Sequence, residues 1–308
     1  MSAMLTSYHE VCELVRNKPD GWIVTVLGPT ATGKTRLAVR LARDFNAEII
    51  SADSRQVYRG MDIGTGKDLS DYYIDNQKIE CHLLDVAQPG EEYNVAQFQQ
   101  AAYRAIDEIR RKGREVVLCG GSGMYLEAVL GGYRLSPIEP DAQVRAELET
   151  KSDEELTELL ASFHPLHNHT DTCERHRLLK AVEIELYYQQ HPEWKNSVRA
   201  VPSLIIGLTG DREMIRQKIT RRLRQRLDEG MVEEVQRIIQ QGASEDQLIR
   251  YGLEYKYVTL YLQGKMDRET MFAKLNTAIH QFSKRQMTWF RKMERSGFQI
   301  HWMDVSCL

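Results

Sequence analysis

The chain has 308 residues, 42% of them hydrophobic, which is enough for one large α/β domain with an insertion and excludes a disordered polypeptide. Its formal charge of −3 is too near neutral to attract nucleic acid by itself, so any polyanion site must come from local clustering. Five scattered cysteines (Cys12, Cys81, Cys119, Cys173, Cys307), never spaced C-x-x-C, argue against a disulfide framework or a zinc ribbon and predict free thiols.

Along the chain, the opening MSAMLTSYHE carries an acid where a signal peptide would be basic. No later run reaches the ~20 apolar residues of a bilayer span, so a cytoplasmic protein without membrane contact is expected. Residues 22–27 (WIVTVL) read as a buried parallel strand entering a turn at Gly28 and Pro29. Leu37, Ala38, Leu41, Ala42 and Phe45 then recur at helical spacing. Strand-like runs follow at 47–51, 79–86 and 115–119, the last two separated by a helix with Phe98, Ala102, Ile106 and Ile109 on one face. Strands alternating with helices predict a parallel sheet covered on both sides. From about Tyr133 to Ala200 the sequence turns polar and helical, and strand character returns at 203–210 and 298–305. The economical reading is a discontinuous core, 1–133 and 200–308, interrupted by an all-helical insertion at 134–199.

Gly28, Pro29, Thr30, Ala31, Thr32, Gly33, Lys34 and Thr35 match G-x-x-x-x-G-K-[ST] between a predicted strand and a predicted helix, the context that gives this motif its meaning. Backbone N–H groups wrap an anion, the helix N-terminus adds partial positive charge, Lys34 neutralises a di- or triphosphate, and the Thr35 hydroxyl can ligate Mg²⁺. A P-loop fold of the nucleotide- and ATP-binding type is therefore expected. Most such enzymes hold their metal with an acid at a strand end, whereas strand 115–119 runs into Gly120, Gly121, Ser122 and Gly123. That omission weakens a phosphoryl-transfer reading. Asp53, directly after strand 47–51, should lie on the same rim as the P-loop, where open α/β sheets bind ligands. A second glycine-rich loop, Gly60 to Lys67, carries little weight alone.

Clustered cations supply what net charge does not. Ile215, Ile219, Leu223 and Leu227 form an apolar stripe, with Arg212, Arg216, Lys218, Arg221, Arg222, Arg224 and Arg226 on other faces. Arg222 and Arg226 flank the stripe and could point toward bound phosphate, and the others could meet a nucleic-acid backbone. The stretch Lys284 to Lys292 (KRQMTWFRK) interleaves cations with aromatics that can stack a base or fill a core. His164, His167, His169, Cys173 and His176 invite a zinc hypothesis, but their spacing fits no common structural site.

Taken together, GPTATGKT, SADSRQVYRGMDIGTGK, HLLDVAQPGEEYNVAQF, GGSGMYLEAVL, SPIEPDAQVRAEL, RRLRQRLDEGMVEEV and KRQMTWFR resemble, in order and spacing, the tRNA dimethylallyltransferase (isopentenyltransferase) family over nearly the whole chain. The resemblance implies transfer of a dimethylallyl group from dimethylallyl diphosphate to N6 of adenosine 37, beside the anticodon. Thr30 to Thr35 and Arg222 would hold the diphosphate with Mg²⁺, Asp53 would take the N6 proton, and Ser122 would stand where the family has a threonine that steadies the transition state. It implies a flipped adenosine and tRNA contacts at Asp53, Ser54, Arg55, Gln56, Arg145, His176, Arg177, Lys180, Arg250, Lys284, Arg285, Gln286, Trp289 and Arg291, with the insertion gripping the anticodon stem-loop and the enzyme acting as a monomer. The chain departs from the family pattern at Ser122, at His280 in place of arginine, in CERHRLLKAVEI and in RYGLEYKYVTLYLQG. Adenylate isopentenyltransferase and P-loop nucleotide kinase are the competing readings.

Overall fold

The computed structural model describes residues 4–133, 135, 141–163, 174–191 and 199–308. By its internal contacts the chain divides into two compact units, Met1–Gly131 with Val201–Leu308, and Gly132–Ala200.

In the larger unit, Ser7 caps α1 (Tyr8–Arg16) by accepting the Glu10 N–H. The strand β1 (Ile23–Leu27) is buried at every position and leads through the P-loop into α2 (Lys34–Asp44), which is followed by the equally buried β2 (Ala47–Ser51). A two-residue hairpin, β3 (Tyr73–Ile74) with β4 (Gln77–Lys78), precedes the short β5 (Cys81–His82). Asn94 and Gln97 form a capping box on α3 (Val95–Arg111), which packs Phe98, Ala102, Ile106 and Ile109 inward as the spacing predicts. Then come β6 (Glu115–Gly120) and α4 (Gly123–Leu130).

The smaller unit contains α5 (Ala142–Glu149), α6 (Asp153–Phe163) and α7 (Arg175–Gln190). Leu148, Leu156, Leu160, Leu178, Leu179 and Val182 form its own apolar core.

The chain re-enters the larger unit at β7 (Ser203–Thr209) and continues through α8 (Arg212–Asp228), α9 (Met231–Gln240), α10 (Glu245–Arg250) and α11 (Leu253–Leu262). The 28-residue α12 (Arg268–Arg295) and β8 (Ile300–Asp304) complete it. Six strands pair in the order β5-β2-β6-β1-β7-β8, every neighbouring pair parallel. The central strands are buried on both faces, by α1 and α2 on one side and by α3, α4 and the end of α12 on the other. A third apolar cluster joins α8, α9, α10, α11 and α12 to the segment around Val57 and Met61. These helices bring the basic α8 and the base-and-aromatic stretch of α12 to the rim where β1, β2 and β6 end.

The strand expected over 79–86 shortens to Cys81–His82. Leu83 and Asp85 take left-handed φ values of 63° and 54°, and the N–H groups of Val86 and Ala87 donate to Val57 O at 2.8 and 2.9 Å. The chain turns off the sheet there because Asp85 is drawn to the buried Lys67 ammonium.

Candidate active site

The P-loop forms between β1 and α2 as the motif requires. Ala31 and Gly33 adopt φ of 63° and 82°, conformations that turn successive N–H groups toward one point. Inside the loop, Thr32 Oγ1 and Lys34 Nζ both donate to Pro29 O at 2.8 Å. The Thr30 N–H donates to Gln286 Oε1 at 2.8 Å, while Gln286 Nε2 donates to Gly121 O at 2.8 Å. Gln286, expected among the tRNA contacts, is buried, and its amide fastens the P-loop to the end of β6. A Cβ on Gly120 would lie 2.1 Å from Ala52 O, so the glycine that replaces a strand-end acid lets the β2 and β6 ends close together.

These elements line one polar pocket with Thr30, Lys34, Thr35, Asp53, Arg55, Gln56, Ser122, Arg222, Arg226 and Glu254. Asp53 sits on the rim, as its place after β2 predicts, with Oδ1 accepting the Arg55 N–H at 3.0 Å. Ser122 Oγ accepts the Ser54 N–H at 3.0 Å and donates to Ser54 Oγ at 3.2 Å, which ties the segment after Asp53 to the start of α4. Arg55 lies over the Phe282 ring at 4.4 Å and pairs with Glu254 at 3.6 Å. Arg222 bonds Asp68 and approaches Gly66 O at 3.4 Å.

Burial pushes the Lys34 ammonium down to about 8; the Asp53 carboxylate pulls it back up, and Arg222 adds to the depression. Burial also raises the Cys119 thiol to about 12 despite the nearby Lys34, so this pocket cysteine is a neutral thiol at neutral pH.

The second glycine-rich loop is held from below. The buried Glu234 carboxylate accepts N–H groups of Asp62, Ile63 and Gly64 at 2.9, 2.8 and 3.0 Å, and the Tyr255 hydroxyl at 2.7 Å. At the loop's end, Lys67 Nζ donates to Tyr58 O and Asp62 Oδ1 at 2.8 Å and to Asp85. In this loop the N–H groups of Asp62, Ile63, Gly64, Gly66 and Lys67 and the lysine ammonium are therefore engaged within the protein. What it offers the pocket is Gly66 O, which receives Gln56 Nε2 at 3.1 Å and also Arg222. Neither Glu234 nor Glu254 figured among the sequence candidates.

Of the remaining candidates, Arg250, Lys284, Arg285 and Arg291 are exposed. Trp289 is half-buried with the Lys292 ammonium 4.9 Å from its ring, and Phe290 is core. His280 joins α12 to α8, its Nε2 lying 3.3 Å from Arg216 O and 3.4 Å from Thr220 Oγ1. Within the smaller unit His176, Arg177 and Lys180 are exposed on α7. Arg145 is already engaged by both Glu183 oxygens at 3.1 Å and by Glu149. His164, His167, His169 and Cys173 lie outside the described residues, and among the described residues no cluster of three or more His, Cys, Asp or Glu could hold a metal ion. No described helix is long and apolar enough to cross a membrane.

A family model described as IPP transferase matches residues 56–293. The chain is 56% identical over 288 residues to tRNA dimethylallyltransferase 2 of Bacteroides fragilis, covering 94% of each protein. It is 53% identical over 283 residues to tRNA dimethylallyltransferase 1 of Porphyromonas gingivalis, covering 92% of this chain and 94% of that one. Among solved structures, the tRNA isopentenylpyrophosphate transferase of Bacillus halodurans superposes with a TM-score of 0.66 at 32% identity, over 93% of this chain and 90% of that one.

Proposed function

The chain belongs to the IPP transferase family, and we propose how its pocket performs the work of a tRNA dimethylallyltransferase, moving a dimethylallyl group from dimethylallyl diphosphate to N6 of adenosine 37. The observation that carries this reading is the rim carboxylate of Asp53 sharing one pocket with the P-loop lysine and with Arg222, so that a base faces a diphosphate cradle.

In this reading the donor's diphosphate lies against the P-loop N–H groups, Lys34 and Arg222. The adenine enters unstacked, and N6 donates a hydrogen bond to Asp53. N6 forms a bond to the allylic C1 as the C1–O bond breaks. The electron pair of that bond stays on the departing diphosphate, and the N6 proton passes to Asp53. Electrostatic stabilisation of the leaving group is the main catalytic term, because the cations are in place before charge develops. The Ser122–Ser54 hydrogen bonds hold the segment that carries Asp53.

The Thr35 hydroxyl lines the pocket and, among the described residues, is engaged by no hydrogen bond, which fits it as a ligand of Mg²⁺. A pocket without a strand-end acid suits an ion that takes its other ligands from substrate phosphates and water. Bound there, Mg²⁺ would neutralise charge on the diphosphate. Exposed cations on α12 and α7 are available for the phosphates of the anticodon stem-loop. In this reading the enzyme acts as a monomer in the cytoplasm, on tRNA.

The test is transfer of radiolabelled dimethylallyl diphosphate with Mg²⁺ to unmodified tRNA transcripts, with AMP and ATP offered in parallel. Label should enter tRNA alone, and Asp53→Ala should slow transfer by about 10²- to 10⁴-fold with tRNA affinity nearly unchanged. Label in AMP instead would make the enzyme an adenylate isopentenyltransferase, and phosphoryl transfer from ATP would make it a kinase.

A further inference from the structure

The Arg55 guanidinium is held in the pocket by its neighbours without being hydrogen-bonded by any of them. The Phe282 ring of α12 has its centroid 4.4 Å from Arg55 Cζ, and Glu254, on the first turn of α11, approaches Nη1 at 3.6 Å, too far for a hydrogen bond. Gly252, with φ of 151°, caps the same helix, and a Cβ there would lie 3.0 Å from Arg55 Nε and 3.5 Å from Cζ. A bare backbone lets the start of α11 close on the arginine. Among the described residues the one hydrogen bond that Arg55 donates comes from its backbone N–H, to Asp53 Oδ1 at 3.0 Å. Its guanidinium N–H groups are thus positioned but keep no acceptor.

The clamp belongs to the segment 250–264, RYGLEYKYVTLYLQG, whose sequence departs from the family pattern. Charge indicates what it serves. The Glu254 side chain is 9% exposed and that of Arg55 22%, so the carboxylate compensates the guanidinium out of bulk water. A cation compensated in this way attracts an anion weakly, yet its planar fork still donates to a neutral acceptor. Lys34 and Arg222 face the diphosphate, whereas Arg55 stands on the same turn as Asp53, the group that meets the base. On adenine, the neutral acceptors beside N6 are the ring nitrogens N1 and N7.

We propose that Arg55 reads the target base: its guanidinium donates to the adenine ring nitrogen flanking N6, N1 or N7, while Asp53 accepts from N6, and Glu254 is the positioning residue that holds Arg55 for this contact. The inference rests on the reaction proposed above. Two contacts on one edge fix the rotation of the base in its plane and so aim N6 at the allylic carbon. A purine with a carbonyl at C6 would present an acceptor to Asp53 and be refused.

The experiment uses the full chain with Mg²⁺, dimethylallyl diphosphate and tRNA assembled by ligation with adenosine, 1-deazaadenosine or 7-deazaadenosine at the target position. Each analogue replaces one ring nitrogen by C–H and keeps the amino group. In the wild type, one of the two should lower kcat/KM for tRNA by about tenfold or more, the worth of one charge-assisted hydrogen bond. Arg55→Met should lose about as much on adenosine itself and nothing further on that analogue, because the donor is already gone. Differences in the analogues' own reactivity are common to both enzymes and cancel in that comparison. The variant's affinity for inorganic diphosphate should stay within about twofold of the wild type. Glu254→Gln should show a partial loss on adenosine and a reduced analogue penalty. Should Arg55→Met not fold, Glu254→Gln carries the test: a reduced penalty supports the proposal, and a full one overturns it. An Arg55→Met enzyme that keeps the wild-type penalties on both analogues, as a contact to the RNA backbone would, overturns it too. So does a loss of diphosphate affinity of about tenfold, which would move Arg55 to the donor side. A wild type that transfers label at equal rates to all three tRNAs overturns this inference alone, and transfer to AMP but to no tRNA overturns the parent reading as well.

Discussion

Replacing Glu234 by glutamine changes one oxygen to an NH₂ and should be costly out of proportion to its size. In the native chain one carboxylate oxygen accepts Asp62 N–H and Ile63 N–H, and the other accepts Gly64 N–H and the Tyr255 hydroxyl. An amide that keeps its oxygen toward Asp62 and Ile63 must turn its NH₂ toward Gly64 and Tyr255. The tyrosine hydroxyl can rotate and accept; the Gly64 N–H cannot. One buried N–H is left facing a donor, at about 1–3 kcal/mol, and the two surviving bonds lose their charge-assisted strength. A total near 3 kcal/mol is expected, against a stability of about 5–15 kcal/mol for a domain. Urea denaturation reads it directly. Because Gly66 O receives Gln56 and Arg222, the loosened loop should also lower kcat/KM for dimethylallyl diphosphate by about tenfold, equivalent to about 1.4 kcal/mol. A stability loss below about 1 kcal/mol with unchanged diphosphate affinity would mean that the carboxylate is not what shapes the loop.

Two further expectations concern the P-loop itself. Lys34 is held at about 8, below its ordinary 10.5, so between these values the folded chain sheds a proton that the unfolded chain keeps, and this group's contribution to stability rises with pH across that window. Diphosphate needs the ammonium, so its affinity should run the other way, flat below about pH 7 and falling above about pH 8. The difference between wild-type and Lys34→Gln titrations isolates this from the ligand's own ionisation, and parallel curves would refute it. Gln286→Leu keeps the volume but leaves Thr30 N–H and Gly121 O without their partner, so diphosphate should bind about tenfold more weakly in the absence of tRNA. A rise in KM for tRNA alone, with diphosphate binding intact, would return Gln286 to the acceptor side.

The features legible in the sequence are those written in consecutive residues. The P-loop, the strand ending at Ser51 that positions Asp53, and the stripe of α8 each need only a short window, and each lies where its pattern requires. The strand predicted over 79–86 failed because its outcome depends on Asp85 meeting Lys67, a contact across 18 residues that no local period records. Gln286 and Glu234 acquire their meaning from partners 256 and 170 residues away. Both nevertheless left a trace. Gln286 shares a helical stripe with Ser283, Phe290 and Met293, all buried, so an amide on that stripe had to find backbone partners inside. Glu234 stands among Met231, Val235 and Ile238 on the buried face of α9, where a carboxylate survives only if donors are delivered to it.

The same reasoning separates two kinds of buried polar residue in and beneath this pocket. Gln286 and Glu234 are satisfied by the empty protein, and their energy is spent on geometry: one fixes the P-loop against β6, the other fixes the loop that meets Arg222. Arg226 is equally withdrawn from water but is left unsatisfied, as are neither of the other two. A fold that meets the needs of its buried amide and carboxylate while leaving the Nε of a pocket arginine without a partner is completed by an anion. Binding of that anion should therefore stabilise the whole chain, through linkage, by more than the loop contacts alone would provide.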